Sequence, residues 1–461
     1  MPNGPRYLPG PTPSVPRLPG RRRTGAVVRA SRWVAALVFV PVLVVSGCSR
    51  DGQDRVPEGQ SVPSPQAAAV SSTATGAPTG PGAPTASASG TATPVPEGDA
   101  FYDPPAPLPQ GKPGTVIRNR PYTPPEAKLT QPSRTSLVMY LSTGTDGKPV
   151  AASGLVTVPE GPAPAGGRPV AAVNHGTMGT GSTCGPSRTP SFAGLEDSSP
   201  VAKLLARGFV VVQPDYIGLG VTGVRHPYLN GKSAAYATLD IIRAAREIDS
   251  EASATALVYG GSQGGHAALW TAHYAAEYAP DLDLKGIVAN APAVGFELMP
   301  ELIAQQSPLA TPYVGMLLTL VNGASAADPA VKPAELLTPD ALAAADLIWT
   351  EPCITGGTPV PSAADVFRPG ADLGPLNAAL KASAPGEVVT TVPVLLPQGG
   401  NDVLSSLNQG LARQLCDKGA SVDFKFYADE GHTIGGGPLD DAIAWMDARR
   451  TGTPVTESCV F

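Results

Sequence analysis

A short apolar run, residues 256–259, breaks at Gly260-Gly261-Ser262-Gln263-Gly264-Gly265 and resumes as Ala- and Leu-rich sequence to Tyr278. This pattern predicts a buried strand, a sharp turn and a helix. Glycines on either side of Ser262 permit backbone angles that a Cβ would forbid, so the turn can push a serine hydroxyl into the open. Gly-x-Ser-x-Gly between a strand and a helix is the elbow of a serine nucleophile. With 52 glycines in 461 residues, chance alone supplies roughly half of one such motif. The rest of the chain therefore has to supply partners for Ser262.

Around the elbow, strand-like and helix-like segments alternate, which predicts an α/β fold with a largely parallel sheet flanked by helices. Residues 135–142 and 150–158 read as a first, antiparallel pair of strands. Residues 169–174 form a third, ending in His175-Gly176-Thr177, and 209–213 another, ending in Pro214-Asp215-Tyr216. Helical spacing marks 199–207 and 234–248, the latter with Leu239, Ile242, Ala245 and Ile248 on one face. After the elbow come a strand at 286–290, then strands at 392–396 and 422–427, with helices at 404–417 and 438–450. Between 295 and 386 the chain is apolar and helix-prone with no clear strand, and reads as a helical cap inserted into the sheet.

The N-terminal hundred residues differ in kind. Arg21, Arg22, Arg23, Arg29 and Arg32 precede an uncharged apolar stretch, 33–45, of the length of a signal h-region. It is too short to span a membrane, which takes about 20 apolar residues, and Pro41 interrupts it. Val45-Ser46-Gly47-Cys48 is similar to the lipobox of bacterial lipoproteins, in which the Cys is acylated. Residues 1–48 are thus expected to be a signal peptide ending at Cys48, with an ordinary secretory signal as the other reading. Either exports the chain, to the outer face of the cell membrane by a lipid anchor or as a secreted protein. Residues 49–100, rich in Pro, Ala, Gly, Ser and Thr, bury too little apolar surface to order themselves and are expected to be a disordered linker. The folded domain is expected at 101–461.

Composition removes several classes. A net charge of −6, with charged residues at 15%, leaves no basic footprint for nucleic acid. Five histidines and five cysteines, none at the spacing of a zinc site, predict no metal. Setting Cys48 aside, Cys184, Cys353, Cys416 and Cys459 can form two disulfides in one of three pairings, as suits an exported protein.

A serine nucleophile of this type needs a base and an orienting carboxylate, in chain order Ser, Asp or Glu, His. Only His432 lies beyond His273, in a Gly-rich loop directly after the predicted strand 422–427, where such a base belongs. Of the carboxylates between, Asp402 follows the strand 392–396 at its carboxyl end, where open α/β sheets gather their chemistry. Asp417 ends a predicted helix, Asp423 begins a strand, and Asp429 and Glu430 adjoin His432 too closely. Asp402 is the candidate. Backbone N–H groups for an oxyanion are expected from Gln263 and from the loop after the third strand, at Thr177 or Met178. His175 reads as a support for that loop, and His226, His266 and His273 receive no role.

These residues resemble the secretory lipases of the lipase A type, among the α/β-hydrolases, over about 171–459. The likeness is carried by His175-Gly176-Thr177, Cys184-Gly185-Pro186-Ser187, residues 213–220, residues 259–266 and Leu415-Cys416-Asp417-Lys418-Gly419-Ala420. The resemblance implies a triad of Ser262, Asp402 and His432, a helical lid at 295–386, and disulfides Cys184–Cys353 and Cys416–Cys459. It departs in the N-terminal tether and in the cap, which does not match residue by residue.

The expected activity is therefore cofactor-free hydrolysis of carboxylic esters through an acyl-enzyme on Ser262. Triacylglycerols or other long-chain acyl esters are the favoured substrates. A short-chain or aryl esterase, or an acyltransferase, uses the same residues. A lipoprotein binding an apolar ligand without turnover is the alternative of another class.

Overall fold

The computed structural model describes residues 95–461 except 124–126, 351–352, 354–357, 456–458 and 460–461. All of these lie in one compact unit of the chain. The expected signal peptide, Cys48 and the expected linker up to residue 94 lie outside the described residues. Gly98–Tyr102 form a 3-10 turn that buries Phe101 and Tyr102.

Nine strands make one sheet: β1 (Val116–Pro121), β2 (Ser133–Thr143), β3 (Pro149–Pro159), β4 (Arg168–Asn174), β5 (Val210–Pro214), β6 (Ala252–Gly261), β7 (Asp283–Asn290), β8 (Val394–Gly399) and β9 (Val422–Tyr427). Their spatial order is β1-β2-β3-β5-β4-β6-β7-β8-β9. The pairs β1–β2, β2–β3 and β3–β5 are antiparallel, and every pair from β5 to β9 is parallel. β5 reads Val-Val-Val-Gln-Pro and is buried throughout, as expected of a strand covered on both faces.

The covering helices are α1 (Pro200–Leu205), α2 (Gly231–Ile248), α3 (Gln263–Tyr278), then α4 (Met299–Ala304), α5 (Val314–Ala327), α6 (Pro333–Leu336), α7 (Pro339–Thr350) and α8 (Gly374–Ala382), and finally α9 (Ser405–Asp417) and α10 (Gly436–Arg450). Ser199 and Asn230 start α1 and α2 by accepting from the N–H groups of Ala202 and Ser233, at 3.1 and 2.9 Å, the usual role of such side chains. Alternation in β6 divides the core. Ala256 and Val258 face α2 and α3 with Leu239, Ile242 and Leu269, whereas Leu257 and Tyr259 face α1 and α10 with Leu204, Ile443 and Met446. Helices α4 to α8 fall between β7 and β8 and hold a separate apolar core that includes Leu317, Val321, Ala345 and Leu376.

One consequence of the strand order places the chemistry. From β4 the chain crosses to β5 on one side, and from β6 it crosses to β7 on the other. The carboxyl ends of β4 and β6 therefore part their loops and leave a crevice, the topological switch point at which open α/β sheets bind ligands.

Candidate active site

Ser262 stands at that crevice. Its φ is +57° and its ψ −117°, a conformation costly for a residue with a side chain and found where surrounding contacts enforce it. Those contacts are close. A Cβ on Gly260 would lie 2.0 Å from the Gly264 carbonyl oxygen, and one on Gly264 would lie 2.1 Å from that of Asn174. Neither position admits any other residue. The turn is pinned on both sides by Ser262 N–H donating to the Asn290 carbonyl at 2.9 Å and its own carbonyl accepting from Ala293 N–H at 3.0 Å.

Asp402 follows β8 and His432 follows β9. His432 Nδ1 lies 2.9 Å from Asp402 Oδ2. An ionised carboxylate only accepts, so Nδ1 carries the proton and Nε2 is left with its lone pair free to accept one. Asp402 also accepts from Gln398 Nε2 at 2.8 Å and from Leu404 N–H at 3.0 Å. Burial alone would raise its pKa, but the hydrogen bonds from His432, Leu404 and Gln398 outweigh it and hold the carboxyl below its ordinary value. The side chain of His432 is 43% exposed while that of Asp402 is 1% exposed, so the pair runs from the core to the surface. Ser262 Oγ makes no hydrogen bond among the described residues, and catalytic contacts of this kind commonly tighten only with substrate bound.

The remaining histidines serve the frame. His175 Nδ1 lies 2.7 Å from the Gly176 carbonyl, and burial pushes its pKa down to about 4. His266 and His273 belong to α3 and meet the carbonyls of Ser383 and Val389 at 2.7 and 2.9 Å. His226, which carries no legible signal in the sequence, holds Gln263. Its Nδ1 lies 2.8 Å from the Ile217 carbonyl and so bears the proton, leaving Nε2 to accept from Gln263 Nε2 at 3.2 Å.

Helix α3 begins at Gln263, so the Gln263 N–H has no acceptor within the helix and lies next to Ser262. Across the crevice, the Cβ position of Gly176 would be 3.9 Å from Ser262 Cβ, which brings the loop of Thr177 and Met178 over the serine. Thr177 Oγ1 is 2.7 Å from the Tyr228 hydroxyl, and Met178 is buried. Cys184 is bonded to Cys353 and Cys416 to Cys459. No cluster of side chains among the described residues is suited to a metal, and no helix among them is long and apolar enough to cross a membrane.

The sheet order, the elbow and the helices between β7 and β8 make this an α/β-hydrolase fold. The same fold is found in Candida antarctica lipase A in its closed state, which superposes with a TM-score of 0.67 at 21% identity, over 80% of this chain and 90% of that one. Within the fold, residues 189–344 match the secretory lipase family. A Mycobacterium tuberculosis protein named "Probable inactive lipase" is 34% identical over 217 residues, 43% of this chain and 46% of its own. The chain thus spans less than half the length of that relative. Lipase A of Arthroderma benhamiae is 24% identical over 412 residues, 79% of this chain and 81% of its own.

Proposed function

We propose that the protein is an exported serine hydrolase of carboxylic esters, with long-chain acyl esters such as triacylglycerols as its favoured substrates. The observation that carries this reading is the Asp402–His432 pair, 2.9 Å apart, on loops at the carboxyl ends of β8 and β9, the same edge of the parallel sheet as the end of β6 where a serine is held at φ +57°. His432 takes the Ser262 proton as Oγ attacks the ester carbonyl, then returns it to the departing alcohol. Water, activated by the same imidazole, hydrolyses the acyl-enzyme. The negative oxygen formed in each step is met by the Gln263 N–H and by that of Thr177 or Met178, each such donor contributing about 3 kcal/mol.

Long acyl esters are favoured by the likeness to the secretory lipases and by the apolar helices α4 to α8 inserted between β7 and β8. Ala293, bonded to the Ser262 carbonyl, lines a cavity of only about 20 Å³ with His266, Phe296, Glu297, Leu320 and Leu380, so an acyl chain requires the helices over it to move. Export fits the two disulfides, and a lipid anchor at Cys48 rests on the Val45-Ser46-Gly47-Cys48 motif. The binding-without-turnover reading draws on the name of the Mycobacterium relative. Against it, a binding protein has no need of both a strained serine and a hydrogen-bonded Asp–His pair.

Hydrolysis of p-nitrophenyl esters from acetate to palmitate by residues 95–461, beside Ser262→Ala, separates these readings. Turnover greatest on long chains and lowered roughly 10⁴-fold or more in the variant is expected. A preference for acetate would make it a short-chain esterase, and ligand retention with no turnover at any length would make it a binding protein.

A further inference from the structure

The triad carboxylate is held by a buried amide chain that leads back into the sheet. Gln398, the penultimate residue of β8, and Asn408, in the first turn of α9, are both 0% exposed. Asn408 Nδ2 donates to Gln398 Oε1 at 2.8 Å, and Gln398 Nε2 donates to Asp402 Oδ2 at 2.8 Å. The order of donors along this chain is forced. An ionised carboxylate offers no proton, so Gln398 must present its NH₂ to Asp402, which turns its oxygen toward Asn408, which must then present its own NH₂. Nothing about packing alone requires two amides against the carboxyl end of a strand whose other buried residues, Val394, Leu395 and Leu396, are apolar.

We propose that Gln398 is a positioning residue for the proposed hydrolysis, acting through Asp402, and that Asn408 fixes the polarity of the Gln398 amide. The proposal rests on the serine-hydrolase reading. Asp402 Oδ2 is the oxygen that meets His432 Nδ1, and Gln398 reaches it from the interior side. Leu404 N–H holds Oδ1. Between them the two donors fix the plane of the carboxylate and, with it, the direction in which His432 aims Nε2. Losing the Gln398 donor lets the carboxylate rotate about its remaining bond to Leu404. The imidazole then samples orientations that do not serve Ser262, which lowers the rate of proton transfer without altering how substrate is bound.

The test is steady-state kinetics on p-nitrophenyl esters for Gln398→Leu and Asn408→Leu, each alone and combined with Asp402→Ala, beside Ser262→Ala and with thermal melting of every variant. Gln398→Leu is expected to lower kcat roughly 10- to 100-fold with KM within about twofold, as fits loss of one hydrogen bond to a charged group. Asn408→Leu is expected to lower kcat about three- to tenfold. In the Asp402→Ala background neither substitution is expected to lower kcat further, because a residue that acts only through Asp402 has nothing left to act on. Parental kcat in folded Gln398→Leu, or an undiminished loss in the Asp402→Ala background, would overturn the proposal while leaving the hydrolase reading intact. Should Gln398→Leu fail to fold, Asn408→Leu decides by the same two criteria. Absence of Ser262-dependent turnover in the parent would overturn both.

Discussion

Two aspartates stand at carboxyl ends of strands in this sheet, and they are put to opposite use. Asp402, after β8, is 7% exposed and Asp215, after β5, is 0% exposed. Asp215 accepts from Ser153 Oγ at 2.6 Å, from Ser187 Oγ at 2.5 Å and from Ser187 N–H at 2.9 Å. Asp402 has as many partners, but one of them is an imidazole that is 43% exposed. The difference shows in the carboxyl groups themselves. Burial pushes the pKa of Asp215 up despite its donors, whereas at Asp402 the donors win over burial. Around Asp215 the backbone closes in, since Cβ atoms on Gly185 or Gly220 would lie 2.5 Å from its carboxyl atoms. A buried carboxylate ringed by hydroxyls and glycines fastens loops, here the one that carries Cys184. On the proposed reading, a buried carboxylate paired with a half-exposed imidazole serves chemistry.

The same isosteric change at both positions breaks that comparison most sharply. Asp402→Asn is expected to lower kcat roughly 10⁴-fold, because the amide selects the wrong imidazole tautomer, and to cost about 1–3 kcal/mol of stability, because its NH₂ meets a donor where the carboxylate accepted. At Asp215 the carboxamide suits the site. Its NH₂ takes the place of Oδ2 and donates to the two serine hydroxyls, so Asp215→Asn is expected to keep parental kcat and stability within about 1 kcal/mol. Kinetics and chemical denaturation of the pair check both halves.

Next in size come changes that remove the fastening. Cys184→Ser with Cys353→Ser opens a loop of 169 residues, for which chain entropy gives about 5 kcal/mol. Asp215→Ala, which strands three donors, is expected to cost about 3 kcal/mol. Urea midpoints measure both, and the comparison predicts that kcat of the folded fraction survives better in Asp215→Ala than in Asp402→Asn.

The smallest effect is in pH, and its two signs differ. Asp402 has a folded pKa below its unfolded one, so its contribution is full above the ordinary carboxylate range and is lost as pH falls through its lowered value. Asp215 has a folded pKa above its unfolded one, so the native state holds that proton more tightly. Stability is then lost as pH rises from the ordinary carboxylate value through the raised one. In melting curves recorded against pH, Asp402→Asn should flatten the acid-side fall, and Asp215→Asn should flatten the opposing loss.

How much of this is legible in the sequence follows from the physics of each part. The strands from β2 to β9 announce themselves as apolar runs between turn residues, most clearly β4, β5 and β8, which are buried on both faces. β1 does not. Its Arg118, Asn119 and Arg120 lie on an edge strand of intermediate burial with a bulge against β2, so neither alternation nor a continuous apolar run marks it. Ser262 and His432 stand out because glycine spacing and chain order constrain them, and Asp402 because it follows a strand. Gln398 and Asn408 are polar residues in apolar surroundings, a sign of a buried network, but their partners are set by the approach of α9 to β8. His226 and Asp215 likewise acquire roles only when the loop of 175–187 folds back across the sheet.

The most direct measurement of the central claim is intact-protein and peptide mass spectrometry after reaction with a fluorophosphonate ester, which captures an activated serine as a stable adduct. The account predicts a single adduct on Ser262 in the parent, none in Ser262→Ala, and much slower labelling in Asp402→Asn with labelling at the parental rate in Asp215→Asn. A folded parent that forms no adduct, or an adduct whose rate is indifferent to Asp402, would contradict it.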